Sequence, residues 1–282
     1  MIRPRSEFLY VAQSDCTLRG LLQARGHSTH FIRQVMHHDG VWIEGAPSRS
    51  NPRLPKGREV LVKIPEEECE TRPVAKEVEV LYADGDLLGV MKPHGLAVHP
   101  APGVGEDSLS GRVAHLFHQE GIRRKLRPIH RLDKDTAGIV LFALHGPAQE
   151  FYRRRWHGEE VQKFYETVVE GVTPLHGIID EPIGEDGGAR RLIDPDGKPA
   201  KTQFWRIGSK NGRSFLRVKL YTGRTHQIRL HLAHCGWPIV GDRLYGRGGE
   251  RLHLLAKELL LPRMEDGEVL RLAAPSSLEN AL

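Results

Sequence analysis

The chain has 282 residues, with 41 Lys and Arg against 36 Asp and Glu, and a net charge of +5. This length allows one large domain with a small one, or two domains of medium size. Hydrophobic residues make up 39%, and no apolar run is near the roughly 20 residues that a membrane span needs, which excludes a protein built from membrane-spanning helices. The excess of basic residues favours an anionic partner without identifying one.

The N-terminal residues and the cysteines predict a cytoplasmic protein. Residues 1–7 lack the apolar core of a signal peptide, so export is not expected. Cys16, Cys69 and Cys235 are odd in number and far apart. This spacing argues against a disulfide framework and against a zinc site of paired cysteines.

The residues up to 64 predict a small α/β unit. Leu18, Leu21 and Leu22 fall on one helical face, and Gly26 is placed to end that helix. A second helical stripe follows, made of Phe31, Ile32, Val35 and Met36. Short strands are then predicted at residues 41–43 and 60–64, with turns at 39–40 and 44–45.

An acidic segment, residues 65–73, predicts a linker. It is bounded by prolines and has no apolar periodicity. We therefore place a domain boundary near residue 72, which gives an N-terminal domain of residues 1–72 and a second domain of residues 73–282.

The second domain predicts an α+β fold built on a mixed sheet. Strands are expected at residues 78–82, 87–91, 139–144, 164–169, 204–207 and 215–220. Helices are expected at 108–119, 147–157 and 225–235, with Ser108 as N-cap and Gly236 as C-terminal stop. Strands outnumber helices, and neither a Rossmann glycine pattern nor a phosphate-binding loop is present. The Gly-rich segment 184–200 predicts a mobile loop.

Basic residues form several clusters along the second domain. Residues 123–125 and Arg127 come immediately before His130, and two other clusters lie at 153–155 and 190–191. A single cluster of this kind is usually a solvated face. A basic cluster beside a candidate catalytic acid, however, predicts an approach surface for an anionic substrate.

That candidate acid is Asp133, in the segment 130–138. It lies between Arg131 and a predicted turn, just before the apolar run 139–144, which predicts a buried strand. The downstream segment 223–232 is rich in Arg and His. A carboxylate just before a strand of the sheet, close to such a segment, suggests a charged catalytic group that faces an anionic substrate.

These residues resemble RNA pseudouridine synthases of the RluA type, whose hallmark is His-Arg-Leu-Asp, two variable residues and Thr-Ser-Gly. Asp133 falls on the family's catalytic aspartate, and Ala137 stands where the family usually has Ser. A lost hydroxyl there removes at most a local hydrogen bond worth about 1 kcal/mol. The resemblance extends over residues 78–273, and the other matching blocks are 90–100, 163–165 and 223–246.

The resemblance implies a cofactor-independent isomerase that converts uridine to pseudouridine in structured RNA. Large-subunit ribosomal RNA is favoured over transfer RNA, and we expect a monomer that flips its target base out of the stack. The fold implied is a mixed, mainly antiparallel sheet with flanking helices.

The N-terminal unit resembles the alpha-L RNA-binding domain, with phosphate contacts expected at His27, Ser28 and His30. A structural extension that packs on the catalytic domain is the alternative.

The resemblance also assigns roles to single residues. Asp133 is the catalytic carboxylate, Arg224 the guanidinium that keeps it ionised, and Tyr165 the ring that packs on uracil and removes the proton from its carbon 5. The expected substrate and RNA contacts are Arg131, Ile228, Lys92, His130 and Lys163. For Lys92 a supporting role under the active site is the alternative, and His130 is expected to hold the aspartate loop through a hydrogen bond. For Asp133 and Arg224 the alternative is a purely structural Asp-Arg pair, and for Tyr165 it is a tyrosine packed in the core. For Arg131 it is a surface ion pair with Asp135.

Two rival functions and a metal site were weighed against this interpretation. A nucleic-acid glycosylase normally needs two carboxylates, whereas only Asp133 is placed by the motif and Asp135 occupies a variable position. A non-catalytic RNA-binding protein on the same fold is the second rival. His226, His231 and His234 lack the carboxylate of a His-Glu-x-x-His pattern, so no metal site is expected.

Overall fold

The computed structural model describes residues 2–100, 107–188, 190–275 and 277–278. The N-terminal unit is a four-stranded antiparallel sheet, in the order β1-β6-β3-β4, covered by two helices. Two further short strands, β2 and β5, pair with each other. In chain order the elements are β1 (Glu7–Val11), β2 (Cys16–Thr17), α1 (Leu18–Ala24), α2 (Thr29–His37), β3 (Val41–Ile43), β4 (Ala46–Pro47), β5 (Arg53–Leu54) and β6 (Glu59–Lys63).

The predicted helices of this unit are confirmed, but the RNA contact predicted for His27 is wrong. The apolar stripes of both helices are buried, and Gly26 follows α1 with a φ of +85°. Ser28 caps α2, accepting from the Phe31 amide at 3.2 Å, and His27 is buried with its ring nitrogen 2.7 Å from the Tyr10 hydroxyl. His27 is therefore closed to RNA, whereas Ser28 is half-buried and His30 is exposed.

The second unit is built on a ten-stranded sheet with the order β12-β15-β16-β11-β17-β10-β8-β7. Strand β18 pairs with β17, β9 pairs with β10, and a separate hairpin joins β13 to β14. The elements are β7 (Glu79–Ala83), β8 (Leu87–Lys92), α3 (Leu109–Gln119), β9 (Arg127–Pro128), β10 (Ala137–Ala143), α4 (Gly146–Arg155), β11 (Gln162–Glu170), β12 (His176–Asp180), β13 (Ile183–Glu185), β14 (Arg191–Ile193), β15 (Lys201–Lys210), β16 (Arg213–Leu220), α5 (Gln227–His234), β17 (Leu254–Pro262) and β18 (Val269–Ala273).

The predicted α+β class with a mixed, mainly antiparallel sheet is confirmed. Every predicted strand and helix is present with slightly shifted ends, Ser108 caps α3 by accepting from the Gly111 amide, and Gly236 follows α5 with a φ of +84°. Strands β12, β17 and β18 were not predicted. Of these, β17 lies at the centre of the sheet, parallel to β10 and antiparallel to β11. Within the described residues, no helix is long and apolar enough to cross a membrane.

The segment predicted as a loop, 184–200, is partly ordered secondary structure. The β13 and β14 hairpin lies in it, and Ile183 and Lys198 exchange two backbone hydrogen bonds of 2.9 Å. Ala200 is buried. The segment predicted as a mobile loop therefore contains regular secondary structure in its described part, and Ala189 lies outside the described residues.

The acidic segment 65–73 is fastened to the basic cluster that precedes His130. The Arg124 guanidinium is buried and donates to the Pro65 carbonyl at 3.0 Å. Three ion pairs join the two segments: Arg127 with Glu67 at 2.5 Å, Arg123 with Glu66 at 2.9 Å and Lys125 with Glu70 at 3.6 Å. The prediction that this cluster forms an open approach surface is wrong, because glutamates already neutralise it.

Contacts also join the first residues of the chain to the second sheet. Ile2 is buried in that sheet's core, and Arg5 donates to Asp86 at 2.7 Å. Asp86 in turn lies 2.9 Å from the buried ring of His145, which caps α4. The boundary near residue 72 stays a prediction, since these contacts cross it.

Gly138 allows β10 and β17 to approach closely. It pairs with Ala256 and has a φ of +127°, and a Cβ atom built on it would overlap the backbone of Ala256.

We expect Gly138→Ala to lower the free energy of unfolding by about 3 kcal/mol, from the clash and the unfavourable φ. Urea denaturation measures this loss. Gly95→Ala is the matched control, with a φ of +76° and no atom within 4 Å, and should lose only about 1 kcal/mol. Equal losses would contradict the role given to the clash.

Candidate active site

A pocket of about 310 Å³ opens between the loop that precedes β10 and the start of α5. Four residues predicted from the sequence to act together, Asp133, Tyr165, Arg224 and Ile228, line it. Arg131 lies at its edge. The sheet register explains this convergence, because Ala256 of β17 pairs with Tyr165 on one side and with Gly138 on the other.

The loop that carries Asp133 rests on a buried lysine. The Lys92 ammonium donates to the carbonyls of Lys134 at 2.8 Å, Leu96 at 2.6 Å and Pro93 at 3.1 Å. Burial lowers the pKa of Lys92 to about 7, against the opposing charges of Asp133 and Asp135. Three carbonyl acceptors match the three donors of the charged form. These contacts support the alternative of a supporting role, and a direct RNA contact is wrong because the side chain is fully buried.

The cation that faces Asp133 is Arg229, not Arg224. Arg229 Nη1 lies 3.7 Å from Asp133 Oδ2, and His226 Nε2 lies 3.9 Å from the same oxygen. Arg224 instead donates from Nε to the Pro199 carbonyl at 3.0 Å. The predicted partner is wrong, because Arg224 precedes α5 and bonds to a backbone carbonyl, whereas Arg229 lies inside α5 and is directed at the carboxylate.

Arg229 is held in place by a second carboxylate. Its Nε and Nη2 donate to the two oxygens of Asp242 at 2.7 and 2.8 Å, and both side chains are buried. Asp242 also accepts from the Leu244 and Tyr245 amides. Although burial opposes its ionisation, the hydrogen bonds and charge of Arg229 keep the pKa of Asp242 below its ordinary value. The remaining nitrogen, Nη1, is left directed at Asp133.

Tyr165 and Ile228 supply the apolar part of the pocket wall. A bulge between Phe164 and Tyr165 in the pairing of β11 with β17 changes the direction of the strand at this point. Ile228 is buried in the first turn of α5. Burial and the charge of Asp133 raise the pKa of Tyr165 far above its ordinary value. The phenol is therefore protonated in the free protein.

The comparison with known proteins settles the family. The family model for RNA pseudouridylate synthases matches residues 86–234. An uncharacterized RNA pseudouridine synthase of Aquifex aeolicus is 34% identical over 229 residues, which cover 78% of this chain and 72% of the relative. The chain belongs to the RNA pseudouridylate synthase family.

Two further likenesses agree with this assignment. The ribosomal large subunit pseudouridine synthase D of Pseudomonas aeruginosa is 35% identical over 247 residues, covering 85% of this chain and 76% of the relative. The human protein RNA pseudouridylate synthase domain containing 1 has the same fold, with a TM-score of 0.62, 23% identity, and coverage of 74% of this chain and 87% of that one. This synthase is therefore an isomerase that acts on RNA, which argues against the glycosylase and the non-catalytic rival.

Two residues predicted to contact RNA are inside the synthase instead. Lys163 is buried, its ammonium donates to the Trp156 carbonyl at 3.0 Å, and burial lowers its pKa to about 8. The His130 ring stacks on Trp156 with centroids 4.3 Å apart and accepts from the Leu141 amide at 3.2 Å. Burial lowers the pKa of His130 to about 3, so the ring is neutral. Its expected hydrogen bond exists, but it fastens the start of the loop to β10.

Arg131 differs from these two residues, because it is exposed at the edge of the synthase's pocket. Among the described residues, no carboxylate forms an ion pair with it, so the alternative pairing with Asp135 is wrong. Asp135 lines a separate small cavity with His94 and Arg243. The exposed guanidinium of Arg131 is available to an RNA that approaches the pocket.

Sequence reasoning missed four residues around Asp133: His226, Arg229, Asp242 and Tyr245. His226 was considered only as a metal ligand, together with His231, which hydrogen-bonds to Thr202 and to the Glu181 carbonyl. No group of three metal-binding side chains is present in the described ranges. A signal for the other residues existed, because the block 238–246 contains both Asp242 and Tyr245.

Proposed function

We propose that this synthase isomerises uridine in large-subunit ribosomal RNA, with Asp133, Tyr165 and Arg229 acting at the flipped base. The observation that carries the proposal is a single carboxylate in a partly apolar pocket, facing a cation that a buried partner holds in place. The ribosomal target is supported by the Pseudomonas aeruginosa relative, whose name specifies the large ribosomal subunit.

The reaction rearranges bonds without adding or removing atoms other than protons. The bond between uracil nitrogen 1 and the ribose breaks, the base turns, and carbon 5 bonds to the ribose and loses its proton. An ionised Asp133 can attack the sugar or take a proton from it, and both routes need a negative charge. Arg229 Nη1, 3.7 Å from Asp133 Oδ2, places a positive charge beside that carboxylate.

Tyr165 and Ile228 are proposed to hold the free uracil while it turns. A planar ring and a branched aliphatic side chain form a slot that keeps a base in place without fixing its orientation. Because its phenol is protonated, Tyr165 can take the proton of carbon 5 only after it passes its own proton to another group. Asp133 lines the same pocket and is proposed as the acceptor of that proton.

Access to the pocket requires that the uridine leave its stack, at a cost of a few kcal/mol. We assign Arg131 to the vacated position, because its exposed guanidinium can stack on bases and contact phosphates. The N-terminal unit is proposed to add RNA contacts through the outer face of α2, where His30, Arg33 and His37 are exposed at helical spacing.

Mapping of pseudouridines across total RNA tests the target. Deleting the gene should remove one or more pseudouridines from large-subunit ribosomal RNA and leave those of transfer RNA unchanged. Expression of the wild-type chain should restore them, whereas expression of Asp133→Asn should not. Losses confined to transfer RNA would overturn the ribosomal assignment, and restoration by Asp133→Asn would overturn the role of the carboxylate.

A further inference from the structure

We propose that His226 is a positioning residue which, through the Tyr245 hydroxyl, couples the β13 and β14 hairpin to the catalytic carboxylate. The inference rests on the proposed role of Asp133 and adds to it a connection from the active site to a peripheral segment. It is carried by a continuous set of contacts and by an unusual backbone conformation.

The contacts run from the hairpin to the pocket. The Arg191 amide, in β14, donates to the Tyr245 hydroxyl at 2.6 Å. The same hydroxyl lies 3.1 Å from His226 Nδ1, and His226 Nε2 lies 3.9 Å from Asp133 Oδ2. Tyr245 and His226 also meet edge to face, with ring centroids 5.7 Å apart.

The donors and acceptors in this series of contacts favour one arrangement of protons. The Tyr245 oxygen accepts from Arg191, so its own proton is free to be donated to His226 Nδ1. A neutral imidazole that accepts at Nδ1 carries its proton at Nε2, the nitrogen that faces Asp133. Burial lowers the pKa of His226 although Asp133 and Asp242 oppose it and Arg229 and Arg191 assist it, which favours the neutral ring.

His226 has a backbone conformation that is uncommon for a residue with a side chain. The residue has φ 58° and ψ 17°, in the left-handed region that residues other than Gly adopt uncommonly. It precedes α5 at the N-cap position, yet its side chain makes no capping hydrogen bond. A strained residue that gives up the usual capping role and turns its ring into the active site points to a functional constraint.

The hairpin is placed to respond to bound RNA. A second cavity of about 420 Å³ adjoins the pocket at residues 223–225. Its charged lining is mixed, with Arg191, Lys198 and Arg224 beside Glu185, Asp194 and Asp196, so it offers a nucleotide both cations for phosphate and acceptors for base or ribose donors. A nucleotide next to the flipped uridine would lie against this cavity and fix the position of β14. Through the Tyr245 hydroxyl and the His226 imidazole, the position of β14 then determines the orientation of the group that faces Asp133. The rate of the chemical step, rather than the affinity for RNA, therefore depends on this link from β14 through Tyr245 and His226.

Two variants test the link with an RNA substrate identified by pseudouridine mapping. Tyr245→Phe keeps the ring and removes the hydroxyl, and His226→Asn removes the imidazole while keeping a residue that tolerates the left-handed backbone. We expect each to lower the single-turnover rate at saturating RNA by about tenfold or more. The RNA Kd should change less than about threefold, and the double variant should be no slower than the slower single variant.

Three controls separate the link from a general effect on folding. Tyr82→Phe is the matched control, because that hydroxyl donates to Asp84 at 2.7 Å and lies outside the residues that line the pocket. It should retain the wild-type rate. The melting temperature of His226→Asn should equal or exceed that of the wild type, since the substitution relieves backbone strain. Asp133→Asn, assayed in parallel, should be inactive.

Each possible result has a defined meaning. Wild-type rates in both variants, beside an inactive Asp133→Asn, would overturn the link and leave the proposed function intact. Activity in Asp133→Asn would overturn the proposed function itself. A slow rate that recovers fully when the variants are assayed well below their melting temperatures would also overturn the link, because it would reflect loss of folded protein.

Discussion

Asp133→Asn is expected to lower pseudouridine formation by on the order of 10⁴-fold or more, because the amide keeps the shape of the side chain but removes the charge that faces Arg229. The Kd for RNA should stay within about tenfold, since phosphate contacts elsewhere supply most of the affinity. Release of tritium from RNA labelled at carbon 5 of uridine measures the first quantity, and filter binding measures the second.

Asp135→Asn is the matched control for this experiment. Asp135 is two residues away and lines a different cavity, so its loss should leave the rate within about threefold. If both substitutions abolished the product equally, a second carboxylate would take part in the reaction. The assignment of a single catalytic acid would then fail.

Arg229→Met should abolish activity and also destabilise the protein, by about 3–5 kcal/mol, since it leaves Asp242 buried without its cation. Arg224→Met should cost less than about 1 kcal/mol, because that side chain is only half buried and donates to a single carbonyl. Chemical denaturation measures both losses, and tritium release measures the activities.

A double variant separates the two consequences of losing Arg229. Arg229→Met combined with Asp242→Leu removes both charges, so it should recover most of the lost stability without recovering activity. Recovered activity in the double variant would show that Arg229 supports the fold alone. Inactivity of Arg224→Met with intact folding would restore the original assignment of the partner arginine.

Local sequence was sufficient to predict much of the site and insufficient for its ionic contacts. Asp133, Tyr165 and Ile228 were placed by motifs, and all three line one pocket. The choice of Arg224 rested on the resemblance, whereas the contact of Arg229 with Asp133 depends on how α5 packs beside the loop that precedes β10. The role of Asp242 depended on a contact with Arg229, thirteen residues away, that no local pattern records.

The parts of the fold that were missed share a physical cause. The run 254–262 is mostly apolar, and Lys257 and Glu258 fall one on each of its faces, so it lacks the alternation that marks a strand. Its pairing with β10 and β11 decides its conformation. The acidic segment 65–73 was interpreted as a free linker for a similar reason. Its partners, residues 123–127, lie far along the chain, and composition alone does not record such pairs.

The position of β17 has a consequence for when the protein becomes active during its synthesis. Tyr165 is carried by β11 and Asp133 precedes β10, and β17 is the strand inserted between those two. During synthesis, Tyr165 and Asp133 both leave the ribosome before residues 254–262 do. Until then the two halves of the sheet have no shared strand to set their register, so catalytic competence arises only after residue 262 has been translated.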